Sequence, residues 1–439
     1  MQTAPAPIAL TTAPTAASAP ELAGWWLKFN DPVLGELVSR SLQANTSIRS
    51  ARAALQQSRA LREVKAAGLV PTVSASGSAR SSQTNEVDPA NSFQAGLDAG
   101  WEIDVFGGKR SGVRAAVDDA QAAEATLANV QVSVASEVAL AYIQLRGLQA
   151  QLAIARTNLD SQKETLQITD WRAQAGLTTS LEVEQARTAT EQTASQVPVL
   201  EANISKARHA LAVLTGQTPD GLLALVASAQ PVPQAPADLA LSIPAQTLRQ
   251  RADVRAAEHR ITAALARVAA ADAARYPSFS ISGSLGLNAL TLAALTNGAS
   301  VAKAILGSIS VPLLDGGAAR AQVQTQEAAL EQTRVAYEAT VLNALKDVED
   351  ALSALAGDQA RLRNLQNAAS SAANAALLAQ HRYTTGLIDF QTVLQTQRTL
   401  LTAQDNVASS QADISADHVR LYKALGGGWN PPSSTHTTP

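Results

Sequence analysis

Apolar and polar side chains alternate without a break between residues 92 and 105. Phe93, Ala95, Leu97, Ala99, Trp101, Ile103 and Val105 fall on one face; Ser92, Gln94, Gly96, Asp98, Gly100, Glu102 and Asp104 fall on the other. This period of two predicts a strand with two unlike surfaces. Val73, Ala75, Gly77 and Ala79 alternate in the same way with Thr72, Ser74, Ser76 and Ser78. So do Phe279, Ile281, Gly283, Leu285 and Leu287 with Ser278, Ser280, Ser282, Ser284 and Asn288. A further strand is predicted near Lys303–Leu313, with Ile305, Gly307, Ile309 and Val311 on one face.

Elsewhere the pattern is helical. Leu34 to Ala67 carries two helical stretches, ended by Gly68 and Pro71. Val138, Leu145, Leu152 and Leu159 are spaced by sevens, as are Val341, Val348, Leu355 and Leu362. Such seams drive the supercoiling of packed helices. At 1.5 Å per residue, residues 110–173 span roughly 95 Å, and residues 47–68 plus 179–214 together about 87 Å. One long helix is therefore expected beside two shorter ones stacked end to end, with a kink at Pro198.

The whole pattern occurs twice. Asp104-Val105-Phe106-Gly107-Gly108 opens one long helix and Leu313-Leu314-Asp315-Gly316-Gly317 the other. Ala175-Gly176-Leu177 answers Thr385-Gly386-Leu387, and Leu214-Thr215-Gly216 answers Ala424-Leu425-Gly426, all at offsets of 209–210 residues. A fixed offset marks a duplicated structural unit. The expected organisation is an extended segment 1–24, a first repeat 25–217 (strands about 70–105, helices about 110–214), and a linker or equatorial segment 218–247. A second repeat 248–427 follows (strands about 277–313, helices about 317–425), then a tail 428–439. A strand turning into a helix must bend sharply, and the pairs Gly107, Gly108 and Gly316, Gly317 supply the positive φ such a bend needs.

Composition narrows the function. Aromatics make up only 3 % of 439 residues, too few for one thick globular core, and they suit thin helical walls. A net charge of −3 points to no nucleic-acid partner. No run of eighteen apolar residues marks a transmembrane helix. With no cysteine, one methionine and five scattered histidines, no disulfide, metal or cofactor site is expected. Gly108-Lys109 lacks the Gly and Ser/Thr of a phosphate loop, because Ile103 and Arg110 stand there, and Glu258-His259 has no second His at zinc-site spacing. No acid/base pair or nucleophile constellation points to an enzyme. Residues 1–20 lack the basic and apolar regions of a signal peptide.

Four strands cannot close a barrel, and an open edge cannot sit in lipid. Either the strands form a half-buried soluble sheet, or several chains pool them. A soluble sheet gives helices of some 90 Å nothing to rest on, so an oligomeric barrel continuing into a helical tube accounts for more of the pattern. The apolar face of 93–105 then meets lipid and its polar face a water-filled lumen.

Particular residues carry a resemblance. Trp25-Trp26-Leu27-Lys28-Phe29-Asn30-Asp31-Pro32-Val33-Leu34, followed by Leu37, Leu42 and Asn45, resembles the opening of outer-membrane efflux proteins of the TolC/OprM (NodT-like) family. Arg251-Ala252-Asp253-Val254-Arg255-Ala256-Ala257-Glu258 continues it, with Ala252 where Pro is common, as do Tyr276-Pro277, Val348-Glu349-Asp350-Ala351-Leu352 and Arg382-Tyr383-Thr384-Thr385-Gly386. The resemblance covers residues 22–428. It implies a homotrimer in which twelve strands close a barrel in the outer membrane and twelve helical columns form a periplasmic tunnel. It also implies outer-membrane lipid around the barrel, a periplasmic membrane-fusion adaptor, an inner-membrane RND-type pump, and export of drugs, metal ions or other substrates. Many members carry a lipid on an N-terminal Cys; Met1 is expected at or near its place, the export signal and lipidated Cys being absent.

By the same resemblance the channel narrows just after Gly386. The constricting positions are Gln391 and Gln395, with Thr392 beside them; comparison of the two repeats puts Leu181 and Gln185 opposite the glutamines as further candidates. The family's ring of Asp is not retained, which implies closure by hydrogen bonds and side-chain bulk. Asp389, Glu182 and Glu184 could add negative charge at the tip; a solvated helix surface explains them equally, and the glutamines also fit an ordinary helix surface. The alternative reading is a structural coiled-coil or adhesin-like envelope protein without transport.

Overall fold

The computed structural model describes residues 23–83, 90–236, 250–296 and 301–428. Expectations for residues 1–22 and 429–439, and for most of the equatorial segment beyond residue 236, lie outside the described residues. Two helices, α1 (Pro32–Ala44) and α2 (Thr46–Ala67), lead into strands β1 (Thr72–Ser82) and β2 (Ala90–Ile103). Helix α3 (Gly108–Gln174) and helix α4 (Ser180–Leu214) follow, then a short α5 (Leu223–Val226). The order then recurs: α6 (Ala252–Ala273), β3 (Ser278–Ala289), β4 (Val301–Ser310), α7 (Ala318–Thr384) and α8 (Phe390–Ala424). Helices α3 and α7 have 67 residues each, and α4 and α8 have 35 each.

The predicted strands are present, with β2 and β4 each shifted by two or three residues toward the N-terminus. Strand β2 stops at Ile103 rather than Val105, and β4 at Ser310 rather than Leu313. Pro312 explains the second, since it has no N–H for a ladder. Helix α4 runs through Pro198 as one continuous helix.

The chain forms two compact units. One holds residues 52–126 and 253–340, with all four strands. The sheet is antiparallel throughout, in the order β1-β2-β3-β4. Its register puts like with like: Ala75 opposite Leu97, Leu97 opposite Leu285, Trp101 opposite Ile281, and Phe279 opposite Ile309. On the other face Ser74 meets Asp98, Asp98 meets Ser284, and Ser280 meets Ser308. A one-residue slip would mix the faces, so the alternation itself fixes the register. All four strands join helices at one end of the sheet and hairpins at the other. Aromatics collect at the helix end. Phe106 stacks on Tyr276 at 4.8 Å and approaches Phe279 at 6.4 Å, and Trp101 Nε1 donates to the Leu69 carbonyl at 3.0 Å. Below the sheet, Arg59 pairs with Glu124 and Arg267 with Asp119, tying α2 and α6 to the first turns of α3.

Among the described residues, the other unit holds 23–51, 127–236, 250–252 and 341–428. Its main core gathers Trp25, Phe29, Leu34 and Leu37 against Val138, Tyr142 and Leu145 of α3, Leu211 of α4, Val226 of α5, and Val419 and Tyr422 of α8. The heptad positions serve this packing: Val138 and Leu145 are fully buried, and Leu355 anchors a second cluster with Val348 and Leu362. An 18-residue window of α3 is apolar enough, by length and composition, to cross a membrane, but half of it is buried within the protein. Core packing accounts for that apolarity.

One polar chain crosses the core. Asp31 caps α1, its Oδ1 accepting from the N–H of Val33 (2.8 Å) and Leu34 (3.0 Å), while Oδ2 accepts from the Tyr142 hydroxyl at 2.8 Å. The Arg146 guanidinium lies 4.7 Å from the centre of the Tyr142 ring and donates to Gln149 Oε1 (2.8 Å) and the Ser228 carbonyl (2.6 Å). The segments before α1 and after α4 are thereby fastened to α3. Asp31→Ala removes both the cap and the acceptor of Tyr142; a loss of about 2 kcal/mol is expected. Scanning calorimetry of the detergent-solubilised protein should show a lower transition for Asp31→Ala than for Tyr142→Phe, which removes one hydrogen bond alone.

Candidate functional site

The helical turns at Gly176 and Gly386 are alike because the same rule ends α3 and α7. Gly176 has φ 72° and Gly386 φ 77°, and each donates three residues back, to Ala173 and Tyr383 (3.0 Å each). Leu177 and Leu387 then donate five residues back, to Arg172 and Arg382 (2.9 Å each). This left-handed cap satisfies the last carbonyls and leaves Leu177 and Leu387 exposed at 69 % and 74 %.

A small core joins the turns. Ala186 and Ala189 of α4 pack with Ala379 and Tyr383 of α7 and with Phe390, Val393 and Leu394 of α8. Around it runs a polar tie that the sequence reading did not single out. Arg172 lies over the Tyr383 ring at 4.7 Å, and its Nη1 donates to the carbonyls of Tyr383 (3.3 Å) and Thr384 (3.4 Å). The Tyr383 hydroxyl donates to Glu182 Oε2 at 3.1 Å, and Thr178 donates to the same oxygen. Burial pushes the Tyr383 pKa up. The available signal was a broken symmetry: Arg172 and Arg382 both stand four residues before their glycine, but Tyr383 answers Ala173.

The predicted tip residues separate by role. Gln391, Thr392 and Gln395 are exposed on α8, on the face away from Val393, Leu394 and Gln397, which are buried. Leu181 is exposed on α4 and Gln185 half-buried. Glu182 is held by Tyr383 and Thr178, whereas Glu184 is exposed, 3.7 Å from Arg187. Asp389 is the N-cap of α8: its Oδ1 accepts from the Thr392 N–H (2.8 Å) and hydroxyl (2.6 Å). Thr179, its counterpart before α4, makes no side-chain cap. Gln397 Nε2 donates to the Thr165 hydroxyl at 3.0 Å and fixes α8 against α3.

The glycine pairs lie in the strand-bearing unit. Gly107, Gly316 and Gly317 have φ of 78°, 63° and 88°. Gly108 differs from expectation, because it is the first residue of α3 and owes its identity to space: a Cβ there would lie 3.1 Å from the Ala273 Cβ. Asp104 accepts from the N–H of Lys109 (3.2 Å) and Arg110 (2.8 Å), and Asp315 from those of Gly317 (2.8 Å) and Ala319 (2.9 Å). Both strand-to-helix bends thus end in an aspartate cap, placed at different distances from the glycines. Among the described residues, no group of His, Cys, Asp and Glu is arranged to hold a metal ion.

The family model described as "Outer membrane efflux protein" matches residues 37–217 and 243–427. The chain is 31 % identical over 422 residues to the toluene efflux pump outer membrane protein TtgF of Pseudomonas putida, covering 94 % of this chain and 87 % of that one. Among solved structures, the outer-membrane channel OprN superposes with a TM-score of 0.87 at 35 % identity, over 98 % of this chain and all of that one. The Campylobacter jejuni CmeC outer membrane channel superposes with a TM-score of 0.88 at 25 % identity, over 98 % of this chain and 94 % of that one.

The Asp389 cap carries a pH dependence. The Thr392 hydroxyl, with the Thr392 N–H, holds its carboxyl below the ordinary range. Its contribution is therefore full above the unfolded value, about 3.9, and is lost as pH falls through the lower folded value. Hydrogen exchange of a peptide covering 387–395, corrected for intrinsic rate, should show steady protection from pH 7 to about pH 5 and a loss below about pH 4. Asp389→Asn, which keeps an acceptor without the charge, should flatten that loss.

Proposed function

The chain belongs to the outer membrane efflux protein family, and from that premise we propose that three copies close one duct, gated at the Gly176 and Gly386 turns. It is an outer-membrane efflux channel, which sets aside the non-transporting scaffold. The observation that carries the trimer is the sheet: one face apolar, one polar, with β1 and β4 each paired on one side only. A membrane sheet must close on itself, and three copies of four strands give the twelve that the family resemblance implies. The apolar face then meets lipid, and Ser76, Gln94, Asp98, Ser282 and Asn288 line a wet lumen. Side chains on α7 support the same reading. Val335, Leu342, Leu345 and Leu378 are exposed at 44–66 % within one chain, and a neighbouring copy covers them.

The duct performs no chemistry of its own; it passes what a periplasmic adaptor and an inner-membrane RND-type pump deliver. Leu177 and Leu387, one on each turn, give the adaptor apolar contacts. Closure rests on Gln391, Gln395 and Thr392, with Leu181 and Gln185 from the other repeat. Three copies bring these side chains into a ring of amides and bulk rather than a ring of carboxylates. The Arg172–Tyr383–Glu182 tie holds the helix ends in the closed arrangement.

Planar-bilayer recording tests the gate. Gln391→Ala with Gln395→Ala should raise single-channel conductance several-fold, and Arg172→Ala should raise the frequency of opening. A conductance no higher than the parent's in the double variant overturns the assigned gate. A detergent-extracted protein that light scattering finds monomeric overturns the shared barrel.

A further inference from the structure

The apolar face of the sheet carries one charge. Among the described residues, Lys303 is the single ionisable side chain on the face that holds Val73, Leu97, Trp101, Ile281 and Ile309. It stands opposite Leu285, between Val301 and Ile305 on its own strand, and is exposed. A lysine facing lipid is costly at the middle of the bilayer and nearly free of cost at its edge. Lys303 is two residues into β4 from the hairpin end. In the outer-membrane reading, on which this inference rests, that end points outward, and the long lysine stem can lift its ammonium to the interface.

Beside Lys303 the same face is hollow. A depression of about 640 Å³ is walled by Val73, Leu97, Leu285 and Ile305, with Lys303 on its rim. Ala99 and Gly283 stand opposite each other in the register and form its floor. Gly283 is there without backbone need. It lacks the positive φ that favours glycine, and a Cβ added to it would meet only the Ala304 carbonyl, at an ordinary 3.8 Å. A Cβ is therefore sterically permitted here, and glycine leaves this part of the depression open.

We propose that this depression seats an acyl chain of a phosphorylated lipid of the outer leaflet, with Lys303 holding the phosphate. The hollow is lined mainly by hydrocarbon, with Ser284 and Ala304 also at its wall, and the cation beside it is a point charge suited to phosphate. An apolar tail and an anionic head are one molecule's two ends. Among the described residues a free anion finds no second basic side chain on this face, and an uncharged lipid gives the Lys303 ammonium no counter-charge.

The test uses the full-length protein, delipidated in detergent, and measures lipid binding by native mass spectrometry. The probes are bis-phosphorylated lipid A, the same lipid dephosphorylated, phosphatidylethanolamine and inorganic phosphate. Lys303→Met should weaken binding of the phosphorylated lipid roughly fivefold, the weight of one basic side chain at a charged surface. Lys303→Arg should bind like the parent, and Lys303→Gln serves if the Met variant does not assemble. Gly283→Leu, which leaves the lysine in place, should weaken both forms of lipid A. Equal affinity in parent and Lys303→Met, or binding of inorganic phosphate alone, overturns the site. Conductance of the same preparations separates the two readings. A channel that conducts, as the parent or once Gln391 and Gln395 are shortened to Ala, but binds lipid independently of Lys303 overturns this site only, whereas a protein that conducts in neither form overturns the channel beneath it.

Discussion

An unpaired peptide group has no place in hydrocarbon, and the architecture follows from that constraint. Four antiparallel strands with matched faces satisfy every ladder position except those along two edges. Those edges make a single chain incomplete. The same incompleteness appears in the helices. Much of α3 is buried in its own chain, while α7, its counterpart, stands mostly exposed. A duplicated unit whose halves are packed so unequally is one wall of something larger.

The duplication conserves backbone geometry more closely than it conserves side-chain chemistry. Four helix ends finish on glycines at positive φ, Gly176, Gly216, Gly386 and Gly426, so the caps repeat. Gly216 and Gly426 are also held by space, since a Cβ would lie 2.5 Å from the Ala44 carbonyl oxygen and 3.0 Å from the Arg251 side chain. The polar groups do not repeat. Asp104 and Asp315 cap their helices from different positions, and Asp389 caps α8 where Thr179 leaves α4 uncapped.

Much of this was legible in the residues. Strict alternation disclosed the strands and which face each side chain takes, because a strand has only two faces. The glycine spacings disclosed the turns. The tip was read less completely. Asp389, Glu182 and Glu184 read alike as tip charges, but Asp389 is a helix cap, Glu182 accepts from Tyr383 and Thr178, and Glu184 faces only Arg187 on its own helix. Pattern gives the face a residue occupies, not the partner it meets across 201 residues of chain, as Glu182 meets Tyr383. Gly108 misled for a related reason: a glycine needed for close approach looks the same in sequence as one needed for positive φ.

The tie at the turns lies wholly inside one chain. Arg172 comes from the first repeat and the Tyr383 and Thr384 carbonyls from the second, so the duplicated halves fasten each other. Such a latch is private to its subunit. Its release within a copy frees the end of one repeat from the other. In the proposed gate, each copy therefore carries its own latch between its two repeats.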